Sequence, residues 1–286
     1  MKKISILIIF ILSTLTLGAT NLRIEPSELS KDISSYKILD VRDAKTFKEG
    51  HIKNALNFPI NLTYEHKSVN GKITQPAKMQ SILRDLGLDV HDRVVVYDDG
   101  TFFDAARLFW TLEVYGFTNV KLLNAGFQEW EVDNLPVSTT IVTPVKSDYI
   151  ATINNKRLAT KFITQIATKS PTQVIIDARG INAYVGKVSS AKRYGHIPKA
   201  INIPATHNIN GSNTLLKLKT TKELQETYKG IAKDKKIVLY CAVGRISATN
   251  YFAMRELGYD VANYDASWKE WGNDFNLPIV NLTNTK

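Results

Sequence analysis

The sequence has little cysteine, since Cys241 is the single one among 286 residues. An intramolecular disulfide is therefore excluded. Glycine and proline occur at ordinary counts of 15 and 9, and 44% of the residues are hydrophobic, which excludes a collagen-like, low-complexity or disordered chain. The formal charge is +10, yet lysine and arginine form no run longer than three. Dispersed positive charge favours a small anionic substrate or a nearby anionic surface over nucleic acid.

The N-terminal residues have the pattern of an export signal. Lys2 and Lys3 precede an apolar run over 4–17, and the residues at 16–19 include small ones suited to cleavage. This run is marginal for crossing a bilayer, which takes about twenty residues, although an uncleaved anchor stays open as the alternative. We predict a cleavable signal peptide at 1–19 and a periplasmic location for the mature chain.

The chain contains one internal repeat. The segment from Asp40 to Pro59 returns as Asp177 to Pro204, and each copy has an Asp-x-Arg pair, a Gly-His-Ile turn and a closing Asn-x-Pro. The second copy carries a short insertion around 187–194. The repeat predicts a first domain at 20–138, a linker at 139–147 and a second domain at 148–286.

Each copy alternates short apolar runs with amphipathic stretches. The apolar runs predict buried parallel strands at 37–41, 94–97, 120–123, 174–178, 237–240 and 261–264. The amphipathic stretches predict helices at 77–86, 104–115, 222–232 and 247–257. This alternation predicts an α/β fold of two homologous domains, each a doubly wound, mostly parallel sheet flanked by helices. Ligand sites in such sheets lie at the carboxyl ends of strands, beside helix N-termini.

Cys241 lies at such a position. It follows the predicted strand that ends at Tyr240, and a short loop with Gly244 at its middle leads to the helix that begins near Ser247. The backbone N–H groups of such a loop can bind an anion. Together with Arg245 they would lower the pKa of the thiol, so we predict a reactive cysteine. A single unpaired cysteine in an exported chain favours the same interpretation, with a buried inert cysteine as the alternative.

These motifs together resemble a tandem rhodanese, a sulfurtransferase of two homologous domains. The resemblance rests on the repeated Asp-x-Arg and Gly-His-Ile segments, on the acidic-aromatic stretches at 124–130 and 264–271, and on the Cys-x-x-Gly loop at 241–246. In this family only the second domain is usually catalytic, and Asp98 occupies in the first copy the place of Cys241. The resemblance implies that Cys241 takes the sulfane sulfur of a donor as a persulfide and passes it to a thiophilic acceptor.

The resemblance also implies roles for neighbouring residues. Substrate would be bound by the rest of the active loop, which comprises Ala242, Val243, Gly244, Arg245, Ile246 and Ser247. The family's second substrate-holding arginine would fall at Ala183, so the insertion offers as substitutes Lys187, Lys192 and Arg193. Three residues of the repeated segments have counterparts in the copy without a cysteine, which predicts structural roles for Asp177, Arg179 and His196.

The donor and the partners follow from the same resemblance. Ala242 and Val243 match neither the basic residues of thiosulfate-preferring members nor the small polar ones of mercaptopyruvate-preferring members. We expect thiosulfate or a related small anionic sulfur donor ahead of 3-mercaptopyruvate. The expected acceptor is cyanide, a thiol or a protein. We expect neither nucleic acid nor an integral membrane protein as a partner.

Two other functions stay open. A non-enzymatic periplasmic sulfur carrier would hold the persulfide for a partner protein with little turnover. Phosphatases and arsenate reductases share this fold, but their Cys-x5-Arg loop needs an arginine where Ser247 stands. The sequence has no metal-ligand spacing and no phosphate-binding glycine motif, so we expect no metal and no cofactor.

Overall fold

The computed structural model describes residues 21–66, 71–212 and 215–284. The predicted signal peptide at 1–19 lies outside these residues. Within the described ranges, no helix has the length and apolar character needed to cross a bilayer.

The first domain is built on a five-stranded parallel sheet. Along the chain its elements are β1 Arg23–Ile24, α1 Pro26–Leu29, β2 Lys37–Asp40, α2 Ala44–Glu49, β3 His51–Ile52, β4 Leu56–Asn57, α3 Pro76–Asp85, β5 Val94–Tyr97, α4 Phe103–Val114, β6 Val120–Leu123, α5 Gly126–Val132 and β7 Val137–Ser138. The strand order is β1-β6-β5-β2-β4, and β3 pairs with β7 in a separate antiparallel ladder. The central strand β5 is buried along its whole length, as expected for a sheet covered on both faces.

The second domain repeats this arrangement. Its elements are β8 Leu158–Ala159, α6 Lys161–Ala167, β9 Gln173–Asp177, α7 Ile181–Val185, β10 Ala200–Asn202, β11 Ile209–Ser212, β12 Leu215–Leu218, α8 Thr221–Thr227, β13 Lys236–Tyr240, α9 Ser247–Glu256, β14 Asp260–Tyr264 and α10 Ser267–Trp271. The five-stranded sheet has the order β8-β14-β13-β9-β10, so β13 occupies the place of β5. An antiparallel hairpin, β11 and β12, is added beside it. The fold is therefore the predicted pair of α/β domains.

The observed elements agree with the predicted ones at their centres and differ at some ends. The helix predicted at 222–232 is the main correction, since α8 ends at Thr227. Tyr228 is drawn into the interior, where its hydroxyl donates to Asn208 Oδ1 at 2.7 Å, and the following turn is closed by Ile231 N donating to the Tyr228 carbonyl. The amphipathic pattern continues to 232, but α8 ends at Thr227 because the Tyr228 side chain turns into the interior.

The two domains share one interface built by α4 and α9. Phe109 of α4 packs edge-to-face on Phe252 of α9 with ring centroids 4.9 Å apart. Glu113 accepts hydrogen bonds from Tyr251 and Arg255 across the same interface. Apolar side chains of both domains belong to one continuous buried cluster. A short loop joins the carboxyl end of β5 to α4, and another joins β13 to α9. Both loops therefore lie near this interface.

The connecting segment at 139–157 contains neither helix nor strand. It runs along the first domain, where Tyr149 donates its hydroxyl hydrogen to the Tyr115 carbonyl at 2.7 Å and Asn154 N donates to the Val114 carbonyl at 2.7 Å. The predicted linker at 139–147 falls in this segment. The limits of the two domains stay a prediction.

Candidate active site

Cys241 lies at the carboxyl end of β13 and is almost enclosed, with 1% of its surface exposed. It packs with Ala178 and Ala205, and the partly buried Phe103 and Ile246 lie against this group. Residues 241–247 form the turn between β13 and α9 and are called here the Cys241 loop. Because Phe103 belongs to α4, the first domain contributes to the walls around the thiol.

The Cys241 loop has a row of uncommitted backbone donors. Cys241 N donates to Ser267 Oγ at 3.2 Å, whereas the N–H groups of residues 242–247 donate to no protein acceptor in the described part of the chain. Buried or half-buried N–H groups normally have partners, so such a row is suited to binding an anion. The loop therefore has the chemistry to stabilise negative charge next to the thiol.

The shape of the Cys241 loop depends on Gly244. This residue has a left-handed φ of 69°, and a Cβ placed on it would lie 2.5 Å from the Asp265 carbonyl oxygen and 2.8 Å from Arg107 Nη1. Asn263 holds the turn from below, because its Nδ2 donates to the Gly244 carbonyl at 3.0 Å and its Oδ1 accepts from Ser247 Oγ at 2.7 Å. Only glycine satisfies both the backbone angle and the close approach.

Arg107 of α4 supports the Cys241 loop from the first domain. It is fully buried, and Nη1 donates to the Gly244 carbonyl at 3.1 Å. Its other hydrogen bonds also go to neutral oxygens, namely those of Thr63 and the Gly71 carbonyl. The guanidinium lies between the rings of Tyr64 and Trp110, with Cζ 4.5 Å from each centroid. Burial lowers the pKa of Arg107, while the negative groups around it oppose the shift.

Arg245 is not a free cation of the Cys241 loop. Its Nε and Nη2 donate to the two carboxylate oxygens of Asp104, with 2.7 Å between Nη2 and Oδ2. The hydrogen bond with Asp104 raises the pKa of Arg245 and keeps it charged. Only Nη1 lacks an acceptor among the described residues, and 41% of the side chain is exposed. Asp104 belongs to the first domain and lies 141 positions before Arg245, so the sequence around the loop does not reveal this pair.

The insertion at 187–194 packs elsewhere. Trp268 Nε1 donates to Ser189 Oγ at 2.9 Å, and Trp268 belongs to the cluster on the sheet face that carries Val238 and Tyr240. The alternate residues of β13, such as Leu239, belong to the interface cluster instead. No described contact joins Lys187 or Lys192 to the Cys241 loop, and both are exposed. Their donor-binding role stays a prediction.

The structure gives Arg193 internal partners, and its predicted donor-binding role stays untested. Its guanidinium donates to four backbone carbonyls, those of Trp271, Gly272, Asp274 and Leu277. A guanidinium with this many internal acceptors is committed to closing the turn after α10. Arg193 therefore anchors the insertion to the second domain and has little capacity left for a ligand.

Asp177 and Arg179 form a buried ion pair at the end of β9. Arg179 Nη2 lies 2.6 Å from Asp177 Oδ2 and 2.8 Å from the Gly195 carbonyl, and the Tyr240 hydroxyl donates to the same Oδ2 at 2.6 Å. The first domain repeats this geometry with Asp40 and Arg42. An arrangement shared with the domain that lacks a cysteine is explained by holding the strand end rather than by chemistry.

His196 is enclosed in a similar way. Its ring stacks on Tyr184 with centroids 3.9 Å apart, and Nδ1 lies 2.8 Å from the Tyr184 carbonyl. Burial lowers the pKa of His196 and favours the neutral ring. His51 stacks on Phe47 at the same place in the first domain. The pair of histidines thus fixes equivalent turns.

Asp98 fills the equivalent loop of the first domain. Its Oδ1 accepts from Gly100 N at 2.9 Å and Phe102 N at 3.2 Å, and its Oδ2 accepts from Ala105 N at 3.2 Å. Burial raises the pKa of Asp98 to about 6. Strand register places Tyr97 beside Asp40 as it places Tyr240 beside Asp177, so Asp98 corresponds to Cys241. Three N–H groups of the first loop and the start of α4 are therefore satisfied by the Asp98 carboxylate.

Four residues around the Cys241 loop were not predicted as site residues, namely Tyr64, Asp104, Arg107 and Ser267. Three of them belong to the first domain, which the absent cysteine marked as non-catalytic. A signal existed for Arg107, because a lone charge in the otherwise apolar stretch 105–110 needs a special environment.

Comparison with known proteins agrees with this geometry. A family model described as a rhodanese-like domain matches residues 25–133 and 159–274. The 3-mercaptopyruvate sulfurtransferase of Escherichia coli O157:H7 is 32% identical over 248 residues, which cover 84% of this chain and 86% of that protein. A thiosulfate sulfurtransferase of Pseudomonas aeruginosa is 29% identical over 260 residues, covering 90% of this chain and 96% of that protein.

Solved structures give the same result. The crystal structure of SseA from Escherichia coli, described among the 3-mercaptopyruvate sulfotransferases, has a TM-score of 0.78 at 28% identity and covers 87% of this chain and 100% of its own. Wild-type EanB has a TM-score of 0.83 at 19% identity, covering 93% of this chain and 70% of its own, and supports the fold alone. With both of its α/β domains matched, the chain belongs to the rhodanese family of sulfurtransferases.

Proposed function

We propose that Cys241 is the nucleophile of this sulfurtransferase and carries the transferred sulfur as a persulfide. One observation carries the proposal: the single cysteine ends the central strand of the second sheet, and the six N–H groups that follow it have no described protein acceptor. A persulfide is an anion, and a row of free amides stabilises it without an added cofactor. The first domain lacks this arrangement because Asp98 occupies its loop.

The proposed reaction has two half-reactions. The Cys241 thiolate attacks the sulfane sulfur of thiosulfate, an S–S bond to Sγ forms, and the donor's S–S bond breaks with its electron pair leaving on sulfite. A thiol, as its thiolate, or cyanide then attacks the terminal sulfur. The Cys–S bond breaks, and its electron pair returns to Sγ. The amides of the Cys241 loop oppose the charge that develops on sulfur in both steps.

We propose a small anionic donor, with thiosulfate ahead of 3-mercaptopyruvate. Relatives of similar identity are named for each of these substrates. Ala242 and Val243 offer no polar side chain, so recognition would rely on backbone N–H groups and on Nη1 of Arg245. The carrier alternative is not favoured, because the relatives are named as transferases. The phosphatase alternative lacks its clamping arginine, since Ser247 stands in that position.

We further propose export to the periplasm, which the charged and apolar N-terminal pattern supports. N-terminal sequencing of protein from fractionated cells should find a start between Ala19 and Asn21 in the periplasmic fraction. Met1 on membrane-bound protein would contradict it.

The central test is the intact mass of the mature protein after incubation with each donor. Thiosulfate should add one sulfur atom to the wild type, added cyanide should remove it, and Cys241→Ser should gain nothing. Asp98→Ala serves as the matched control in the first domain and should still gain the sulfur. A mass gain that survives in Cys241→Ser would show that another residue is the nucleophile.

A further inference from the structure

Tyr64 of the first domain carries a buried hydroxyl that has no partner in the described part of the chain. The residue is 2% exposed, and its hydroxyl has no hydrogen-bond partner among the residues that the structure describes. Buried tyrosine hydroxyls normally find a partner, and leaving one unpaired costs stability. One explanation for such a group is a ligand or a reacting group that supplies the missing partner.

Tyr64 is connected to the Cys241 loop through Arg107. Arg107 lies over its ring at 4.5 Å and donates to the Gly244 carbonyl from the same guanidinium. Tyr64 also forms an isolated antiparallel bridge with Ile73, whose N–H donates to Asp265 Oδ2 of the second domain. The groups whose charges act on the phenol are Arg107, Cys241, Asp104 and Arg245. The ring therefore stands at the junction between the first domain and the thiol.

Arg107 gives a second argument. It is a fully buried cation, and within the described ranges its hydrogen bonds go to neutral oxygens of Thr63, Gly71 and Gly244. Asp265 and Asp104 act on it through their charges, but no carboxylate of the described residues lies within ion-pair distance of it. A closer negative charge would stabilise this buried cation further. An anion at Cys241 would serve both the cation and the orphan hydroxyl.

We propose that Tyr64 donates a hydrogen bond to the sulfur anion that Cys241 carries, first the thiolate and then the terminal sulfur of the persulfide. The inference rests on the proposed function of Cys241. Arg107 would hold the ring in place and supply the compensating charge. Burial raises the pKa of Tyr64, so the phenol keeps its proton as a donor at neutral pH. No proton is transferred in this role.

The proposed hydrogen bond has a specific consequence for donor specificity. A hydrogen bond to the protein's own sulfur stabilises a species that is common to every donor. Its loss should therefore lower the rate of loading by the same factor for thiosulfate and for 3-mercaptopyruvate. A hydroxyl that instead bound the sulfonate or carboxylate of the donor would affect the two substrates unequally.

The test is Tyr64→Phe, which removes only the hydroxyl. We expect kcat/KM to fall about tenfold with both donors, a loss of about 1.4 kcal/mol in each case. The pH of half-maximal alkylation of Cys241 by iodoacetamide should rise. The Tm should be unchanged or higher, because the variant also removes an unpaired buried polar group. The matched control is Tyr36→Phe, which removes a hydroxyl of the first domain just before β2 that accepts from Arg93 Nη2 at 2.6 Å. It should leave both kcat/KM values and the alkylation profile unchanged.

Three outcomes would overturn the inference. They are a loss confined to one donor, unchanged kinetics in Tyr64→Phe, and a loss that comes with a lowered Tm and an unshifted alkylation profile. Failure of the proposed function is a different result, because the wild type would then gain no sulfur on Cys241 in the mass measurement.

Discussion

Arg245 of the second domain is bound by Asp104 of the first through two parallel hydrogen bonds. The only charged side chain of the Cys241 loop is thus shared with the domain that carries no cysteine. A bidentate pair of this kind fixes the direction of the guanidinium and leaves Nη1 as the nitrogen that can meet a donor anion. We predict that the affinity for thiosulfate depends on both residues of the pair.

A single variant and a double variant measure this dependence. Arg245→Ala should raise the KM for thiosulfate about tenfold, because a cationic group is lost and the Asp104 carboxylate is left to repel a dianion. Arg245→Ala combined with Asp104→Asn should raise it only about threefold, since the repulsion is gone. Steady-state kinetics of thiocyanate formation provide the values. Equal increases in the single and double variants would show that Asp104 has no electrostatic influence on the donor.

Asp98 gives the folding stability a characteristic pH dependence. Its pKa is about 6 in the folded protein and near 3.8 in the unfolded chain, so the folded state binds the proton more tightly. The stabilisation of the folded state by this bound proton is fully present below pH 4. It is lost as the pH rises to about 6, which lowers the free energy of unfolding by up to about 3 kcal/mol. In Asp98→Asn this loss is absent.

Urea unfolding at pH 4.5 and pH 7 gives the free energy of unfolding of the wild type and of Asp98→Asn. The test is how the difference between the two proteins changes with pH. The free energy of unfolding of the wild type, relative to Asp98→Asn, should be lower at pH 7 than at pH 4.5. A difference that does not change with pH would contradict the raised pKa of Asp98.

Gly244→Ala tests whether the tight approach at the Cys241 loop matters for activity. The added Cβ would meet the Asp265 carbonyl, so the loop must shift, and we expect kcat to fall at least about tenfold. Gly258→Ala is the matched control, because Gly258 has a similar φ of 80° but no atom within 4 Å of the added Cβ. It should cost about 1 kcal/mol of stability and leave kcat unchanged. Equal kcat values in both variants would mean that the loop tolerates the shift.

Arg193→Ala tests the structural role of this residue. Removing a guanidinium that serves four carbonyls should lower the free energy of unfolding by about 1–3 kcal/mol. The KM for thiosulfate should stay at the wild-type value. Lys169→Ala is the control for charge alone, because this side chain is exposed, has no predicted role in donor binding and should change neither quantity. An increase in KM with unchanged stability would support Arg193 as a donor-binding residue.

The central strands of both sheets could be predicted from the sequence, because a buried strand is marked by a local run of apolar residues. Apolar runs such as 94–97 coincide with a strand along their whole length, since a strand buried on both faces must be apolar throughout. The repeat then aligned Asp98 with Cys241 without any knowledge of the sheet. The hairpin of β11 and β12 and the end of α8 were not predicted, because they depend on packing between distant residues such as Tyr228 and Asn208.

The first-domain part of the site could not be predicted from spacing. Asp104 and Arg245 are 141 positions apart, and Arg107 meets the Gly244 carbonyl across 137 positions. Such contacts arise only when α4 and α9 pack together. The sequence located Cys241, the proposed nucleophile, whereas the polar groups that surround it became visible only in the folded chain.

The carboxylate of Asp98 has a consequence for the stability of the first-domain loop. A loop whose N–H groups are bound by its own carboxylate needs no dissolved anion to keep its shape. In the proposed reaction the Cys241 loop instead meets a new sulfur anion in each half-reaction. One polypeptide would then hold a loop with a built-in carboxylate beside a loop that binds and releases an anion, and α4 connects the two through Arg107 and Asp104.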